Sequence, residues 1–132
     1  MFLVDTNILI YAADSDSAEH GKCSAQVEEW RREPLPWYTT WGILYEFLRV
    51  STHPRVMRAP WDVDRAWGFV EGLLASPSLR VLGETSQHRA VAAQSMKEVV
   101  GLRGNLLHDA HTAFLMREHG IRRIFTRDTD FH

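Results

Sequence analysis

Met1-Phe2-Leu3-Val4-Asp5-Thr6-Asn7-Ile8-Leu9-Ile10-Tyr11-Ala12 opens the chain, and the fold turns on how it is read. A short apolar run, Phe2-Leu3-Val4, meets a carboxylate abruptly. Thr6 and Asn7 follow, and apolar residues resume at once. This is the signature of a buried strand, an acid at its carboxyl end, and a helix that begins without a loop. In open α/β sheets the ligand crevice lies outside the carboxyl ends of the strands. Asp5 therefore stands where chemistry is usually done, although an acid there can also simply cap the helix.

Outward from that unit, the pattern repeats. Asp14-Ser15-Asp16-Ser17 is a turn, and Asp16 followed by Glu19 suits a capping box for a second helix. Cys23, Val27 and Trp30 recur at helical spacing before Pro34 and Pro36 stop it. Trp37-Tyr38-Thr39-Thr40 reads as a second strand. Thr40 can cap a third helix with Ile43, Leu44, Phe47 and Leu48 on its buried side, ending at His53-Pro54. Asp62 can cap a fourth, with Val63, Ala66, Trp67, Val70 and Leu74 facing inward. Leu79 to Leu82 is a third strand, and Ser86 to Val100 a helix. Asn105 can cap the last long helix, stopped by Gly120, before a fourth strand from Ile121 to Thr126. Strands alternating with helices predict an α/β fold in one domain, residues 1–132. Its parallel central sheet has four short strands, or five if the edge is extended, with helices on both faces.

Three further acids fall near the same edge of such a sheet. Asp128 follows the fourth strand directly, while Glu46 and Asp109 ride early turns of helices. Each has a plain alternative: Glu46 as a solvated helix residue, Asp109 as a charge near a helix start, Asp128 and Asp130 as turn acids. Their joint placement points further. Two like charges about 4 Å apart repel by roughly 4 kcal/mol at an effective dielectric near 20. A cluster of acids therefore needs a proton or a cation, and oxygen-only ligands suit Mg²⁺ or Mn²⁺. Phosphodiester hydrolysis by a metal-activated water is the natural chemistry of such a site.

Val4-Asp5-Thr6-Asn7, Glu46, Asp109-Ala110 and the closing His119-Gly120-Ile121…Thr126-Arg127-Asp128-Thr129-Asp130-Phe131 together resemble a PIN domain. More closely, the chain is similar to the VapC-type toxins of prokaryotic toxin–antitoxin pairs. That resemblance implies a metal-dependent endoribonuclease, the toxin of a type II pair, that inhibits translation. It carries the acidic quartet onto Asp5, Glu46, Asp109 and Asp128, which would hold the metal. It places Thr126 beside the site, Asn7 as the polar partner of Asp5, and Asp130 in support. It also implies a homodimer and a cognate antitoxin that covers the cleft. Similar proteins usually continue past Asp130-Phe131 into a final strand, whereas this sequence stops at His132.

Composition bounds the partners. A net charge of −2 gives no strong field for polyanions. Lys22 and Lys97 are the only lysines among 15 basic residues, and the rest are arginines, which grip phosphate with paired bonds. Arg49, Arg55, Arg58 and Arg127 are the candidates to hold an RNA backbone, or else solvated surface residues. A single cysteine, Cys23, forbids an internal disulfide. With no apolar run long enough for a bilayer and no basic leader, this predicts a cytoplasmic protein. His108 and His111 flank Asp109 at a spacing that weakly suggests zinc; histidines without a metal are the commoner outcome. Trp30, Trp37, Trp41 and Tyr45 are expected in the core. A haloacid-dehalogenase-like Mg²⁺-dependent phosphatase needs a second acid where Asn7 stands. A phosphate-accepting receiver domain needs a late lysine where Thr126-Arg127 stands. A silent PIN-like binding module would retain all four acids.

Overall fold

The computed structural model describes residues 1–127. The opening run forms β1 (Leu3–Val4), and Asp5 starts α1 (Thr6–Ala13) with no intervening loop. There follow α2 (His20–Arg32), β2 (Trp37–Thr40), α3 (Trp41–Ser51), α4 (Val63–Leu74) and β3 (Leu79–Leu82). The described chain closes with α5 (His88–Glu98), α6 (Asn105–Glu118) and β4 (Ile124–Phe125). The four strands are parallel in the order β3-β2-β1-β4. Leu3 pairs with Tyr38 on one side and Ile124 on the other, so β1 is central. Successive strand residues face opposite sides of a sheet. Leu3 and Val4 are both wholly buried, so β1 is covered on both sides, as an uninterrupted apolar strand requires.

The strand order sets the position of the crevice. The chain steps from β1 to β2 to β3 in one direction, then crosses back to lay β4 against the far side of β1. That reversal is a topological switch point, and the carboxyl ends of β1 and β4 flank it.

One apolar cluster joins β1, α1, α2, β2, α3, α4 and β3, centred on Leu3, Val4, Ile8, Leu44, Phe47 and Val70. Trp30 of α2 lies tilted on Phe2 and Trp37, and edge-on to Phe125. Ile121 is the sole fully buried member of the cluster from beyond Leu82 among the described residues. The segment carrying α5 and α6 is held differently. Glu118, its side chain wholly buried, accepts from the Thr85 backbone (3.0 Å), the Thr85 hydroxyl (2.9 Å) and His88 Nδ1 (2.5 Å). Arg117 donates to Ser95 and Glu98, both at 2.9 Å, and His119 Nε2 donates to the Gly83 carbonyl at 2.7 Å. Burial alone would raise the Glu118 carboxyl, but these donors outweigh it and hold it below its ordinary value.

Several local expectations change. The caps by Thr40 on Ile43 N (3.0 Å) and Asp62 on Arg65 N (2.8 Å) form as read. The Asp16–Glu19 capping box does not: Glu19 N donates to the Ser17 hydroxyl, and Glu19 caps α2 without a side-chain bond. Gly104, at φ 56°, takes the cap position of α6, which moves Asn105 into the helix itself. Trp30 and Trp37 are buried, but Trp41 and Tyr45 are exposed, the former stacked on the half-exposed Trp67 at 6.4 Å. Val63 is also exposed, and Leu73 replaces it on the inner face of α4. No helix is long and apolar enough to cross a membrane among the described residues. Asp128, Asp130 and any fifth strand lie outside the described residues.

Candidate active site

Asp5 caps α1 and also lines a cleft, so capping does not remove it from the crevice. One carboxylate oxygen accepts from Thr6 N at 2.8 Å, satisfying the start of α1. The other accepts from the Thr126 hydroxyl at 3.2 Å. Asn7 Nδ2 donates to Thr126 Oγ1 at 3.0 Å, and its Oδ1 accepts from Arg127 N at 3.3 Å. The relay Asn7–Thr126–Asp5 thus ties the end of β4 to the end of β1, beside the sheet bond from Asp5 N to the Phe125 carbonyl at 3.0 Å. Its members are 119 and 121 residues apart in the chain.

Glu46 reaches the same place from α3, whose start is pinned by Thr40 at the end of β2. Arg49, one turn on, grips it with two bonds of 3.1 and 2.5 Å. That pairing holds the Glu46 carboxyl below its ordinary value against the opposing effect of burial, with attraction to Arg49 and His108 adding to it. Asp109 comes from the second turn of α6. Asp5, Glu46 and Asp109 all line one cleft of about 620 Å³.

Three helices supply the walls as stripes at helical spacing. Asn7, Ile10 and Tyr11 come from α1; Gly42, Glu46, Arg49 and Val50 from α3; Asn105, His108, Asp109 and Thr112 from α6. Asn105 and Thr112 were not read from the sequence as facing the cleft, although their spacing around Asp109 marks the same helix face. His111 is off that stripe, and its Nε2 donates to Glu84 at 2.8 Å instead. The zinc reading that paired His108 with His111 therefore fails, because the two side chains serve different neighbourhoods.

The arginines divide. Arg49 lines the cleft, whereas Arg55 and Arg58 are exposed on the connection between α3 and α4 and do not line it. Arg127 approaches Glu19 at 3.3 Å through its side chain and holds Asn7 through its backbone. Among the described lining residues, three carboxylates face one guanidinium, a formal excess of two negative charges with histidine neutral. An oxygen-only set with that excess fits a hard divalent ion in both donor type and charge.

A parallel α/β sheet with an acidic cleft at its switch point defines the class, and comparison with known proteins places the chain within it. The PIN domain family matches residues 2–132. Ribonuclease VapC48 of Mycobacterium tuberculosis is 35% identical over 127 residues, spanning 96% of this chain and 87% of that protein. Ribonuclease VapC37 of the same species is 33% identical, spanning 99% of this chain and 90% of that protein. The crystal structure of M. tuberculosis VapC20, described as a sarcin-ricin loop cleaving toxin, superposes with a TM-score of 0.67. At 21% identity over 99% of this chain and 92% of that one, it shares the fold. The chain belongs to the PIN-domain family, among the VapC ribonucleases, which sets aside the phosphatase and receiver readings.

Proposed function

We propose that this protein is a metal-dependent endoribonuclease that hydrolyses RNA in the acidic cleft, acting as the toxin of a type II toxin–antitoxin pair that inhibits translation. The observation that carries this reading is the convergence of Asp5, Glu46 and Asp109, from three different elements, on one cleft. These three, with Asp128, would hold Mg²⁺ or Mn²⁺. Such an ion supplies Lewis acidity and neutralises charge at a phosphodiester.

The chain's own residues prepare that cleft. Asn7 and Thr126 fix the Asp5 carboxylate in orientation, and Asp130 is a further candidate to support it. Arg49 keeps Glu46 ionised and is the phosphate contact nearest the acids, with Arg55, Arg58 and Arg127 as backbone contacts outside the cleft lining. A cognate antitoxin would block the cleft, and the active form would be a cytoplasmic homodimer.

Incubation of the purified protein with RNA and Mg²⁺ or Mn²⁺ should give cleavage that EDTA abolishes. Asp5→Asn and Asp109→Asn should each lower the rate more than about 100-fold, the upper end of what losing an outer partner of a metal costs. Their circular dichroism should stay unchanged. If both variants cut RNA as fast as the parent, the cleft is not the catalytic site.

A further inference from the structure

A second cluster of metal-ligating side chains lies outside the acidic cleft. Glu84 follows β3, His88 begins α5, and His111 stands midway along α6. Each offers one ligand atom, and the three atoms lie within 4.8 Å of one another. We propose that Glu84, His88 and His111 form a binding site for a transition metal of the Zn²⁺ class, which fastens α6 to the end of β3.

The donor chemistry separates this site from the cleft. Two imidazoles and one carboxylate suit Zn²⁺ and its neighbours, whereas the carboxylates of the cleft suit Mg²⁺ or Mn²⁺. Two histidines and a glutamate leave a fourth tetrahedral position for water. The outer partners are already in place. His88 Nδ1 donates to Glu118 at 2.5 Å, which leaves Nε2 as the ring atom for a metal. A ligating histidine almost always gives its other ring nitrogen to a carboxylate, carbonyl or water, and Glu118 is such a carboxylate, wholly buried and held by Thr85.

The geometry needs little change. His111 Nε2 and Glu84 Oε1 are 2.8 Å apart across a shared proton. A cation takes that proton's place at Nε2 while the ring keeps one proton on Nδ1. A neutral His111 changes tautomer, and a protonated one releases its extra proton to solvent. Ligand atoms about 2.0–2.1 Å from tetrahedral zinc lie roughly 3.3 Å from each other. The pair must open slightly and His88 must close by about an ångström or two. Glu84 is exposed and can follow, and the His88 and His111 rings already lie edge to face at 5.7 Å.

The test uses the whole chain, freed of metal, titrated with Zn²⁺ by calorimetry and with Co²⁺ by visible absorption. One nitrogen-ligated equivalent should bind beside any ion taken by the acidic cleft, the Co²⁺ spectrum should show nitrogen-ligated tetrahedral bands, and Zn²⁺ should raise the melting temperature. His88→Ala and His111→Ala should each weaken binding at least tenfold, and Glu118→Gln by about 10- to 100-fold. Glu84→Gln retains an acceptor for His111 but loses the anionic ligand, so it too should lose affinity while remaining folded. Binding should persist in Asp5→Asn and Asp109→Asn, whatever their ribonuclease activity. Nitrogen-ligated Co²⁺ bands that survive in Glu84→Gln, His88→Ala and His111→Ala alike, or that vanish in Asp5→Asn, would overturn the proposal. So would the absence of nitrogen-ligated bands in the parent.

Discussion

The region up to Leu82 and the region from Gly83 to Gly120 are built on different physics. The first is closed by an apolar cluster that threads the central strands and four helices. The second buries Phe114 and Leu115 on α6 and only Ser95 on α5, and relies on a set of hydrogen bonds around Glu118 and Arg117. Apolar burial is non-directional and tolerant, whereas a buried carboxylate is stabilising only while each donor stays in place. The cleft joins the two: Asp5 and Glu46 stand on the apolar region, Asp109 on the polar one. The relative position of the acids therefore depends on the more easily disturbed half. Segments with few buried apolar contacts open locally before the rest unfolds.

The sharpest way to break this contrast is to damage each half alone. Phe47 is wholly buried and stacks on Phe69 at 4.8 Å. Phe47→Ala should cost about 3–5 kcal/mol and lower amide protection across the whole molecule. Glu118→Gln removes the anion that Thr85 and His88 address, and should cost about 1–3 kcal/mol. Hydrogen exchange should accelerate in α5 and α6 while β1 and β2 keep their protection. Equal acceleration everywhere would mean the two regions open as one unit.

Acid should act on the same group. Glu118 has a folded pKa below its ordinary value of 4.5, so its stabilisation is present above that value. It is lost as pH falls from there through the folded pKa. Exchange in α6 should therefore rise in that window, and Glu118→Gln should blunt the response. The smallest effect concerns the cleft. Without metal, Asp109→Asn relieves like-charge repulsion and should raise stability by about 1 kcal/mol. Calorimetric melting in EDTA checks it, and no gain would mean the carboxylates do not crowd.

What the sequence disclosed follows the same divide. Period and punctuation sufficed where burial dictates the pattern. The bounds of β2 and β3 and the inner face of α2 at Cys23, Val27 and Trp30 emerge as read. The shared placement of Asp5, Glu46 and Asp109 on one cleft was legible because strand ends and early helix turns share an edge in a parallel sheet. Asn7 and Thr126 came through the family likeness, since no local pattern links residues so far apart. Where polar contacts decide, local reading was uneven: the Thr40 and Asp62 caps formed, but others did not. Asn105 yielded its cap to Gly104, whose positive φ suits glycine. Trp41 and Tyr45 sit at helical spacing, yet they occupy the outer side of α3. The partners of His111 were hidden because Glu84 and His88 come from another segment, and the His108 spacing pointed the wrong way.

The bond from Thr126 to Asp5 also has a consequence for synthesis. The hydroxyl that steadies the acid after β1 is made 121 residues later than that acid. Nascent chains lacking that hydroxyl carry an unsteadied Asp5, so the proposed competence to cut RNA would arrive only after Thr126 is in place.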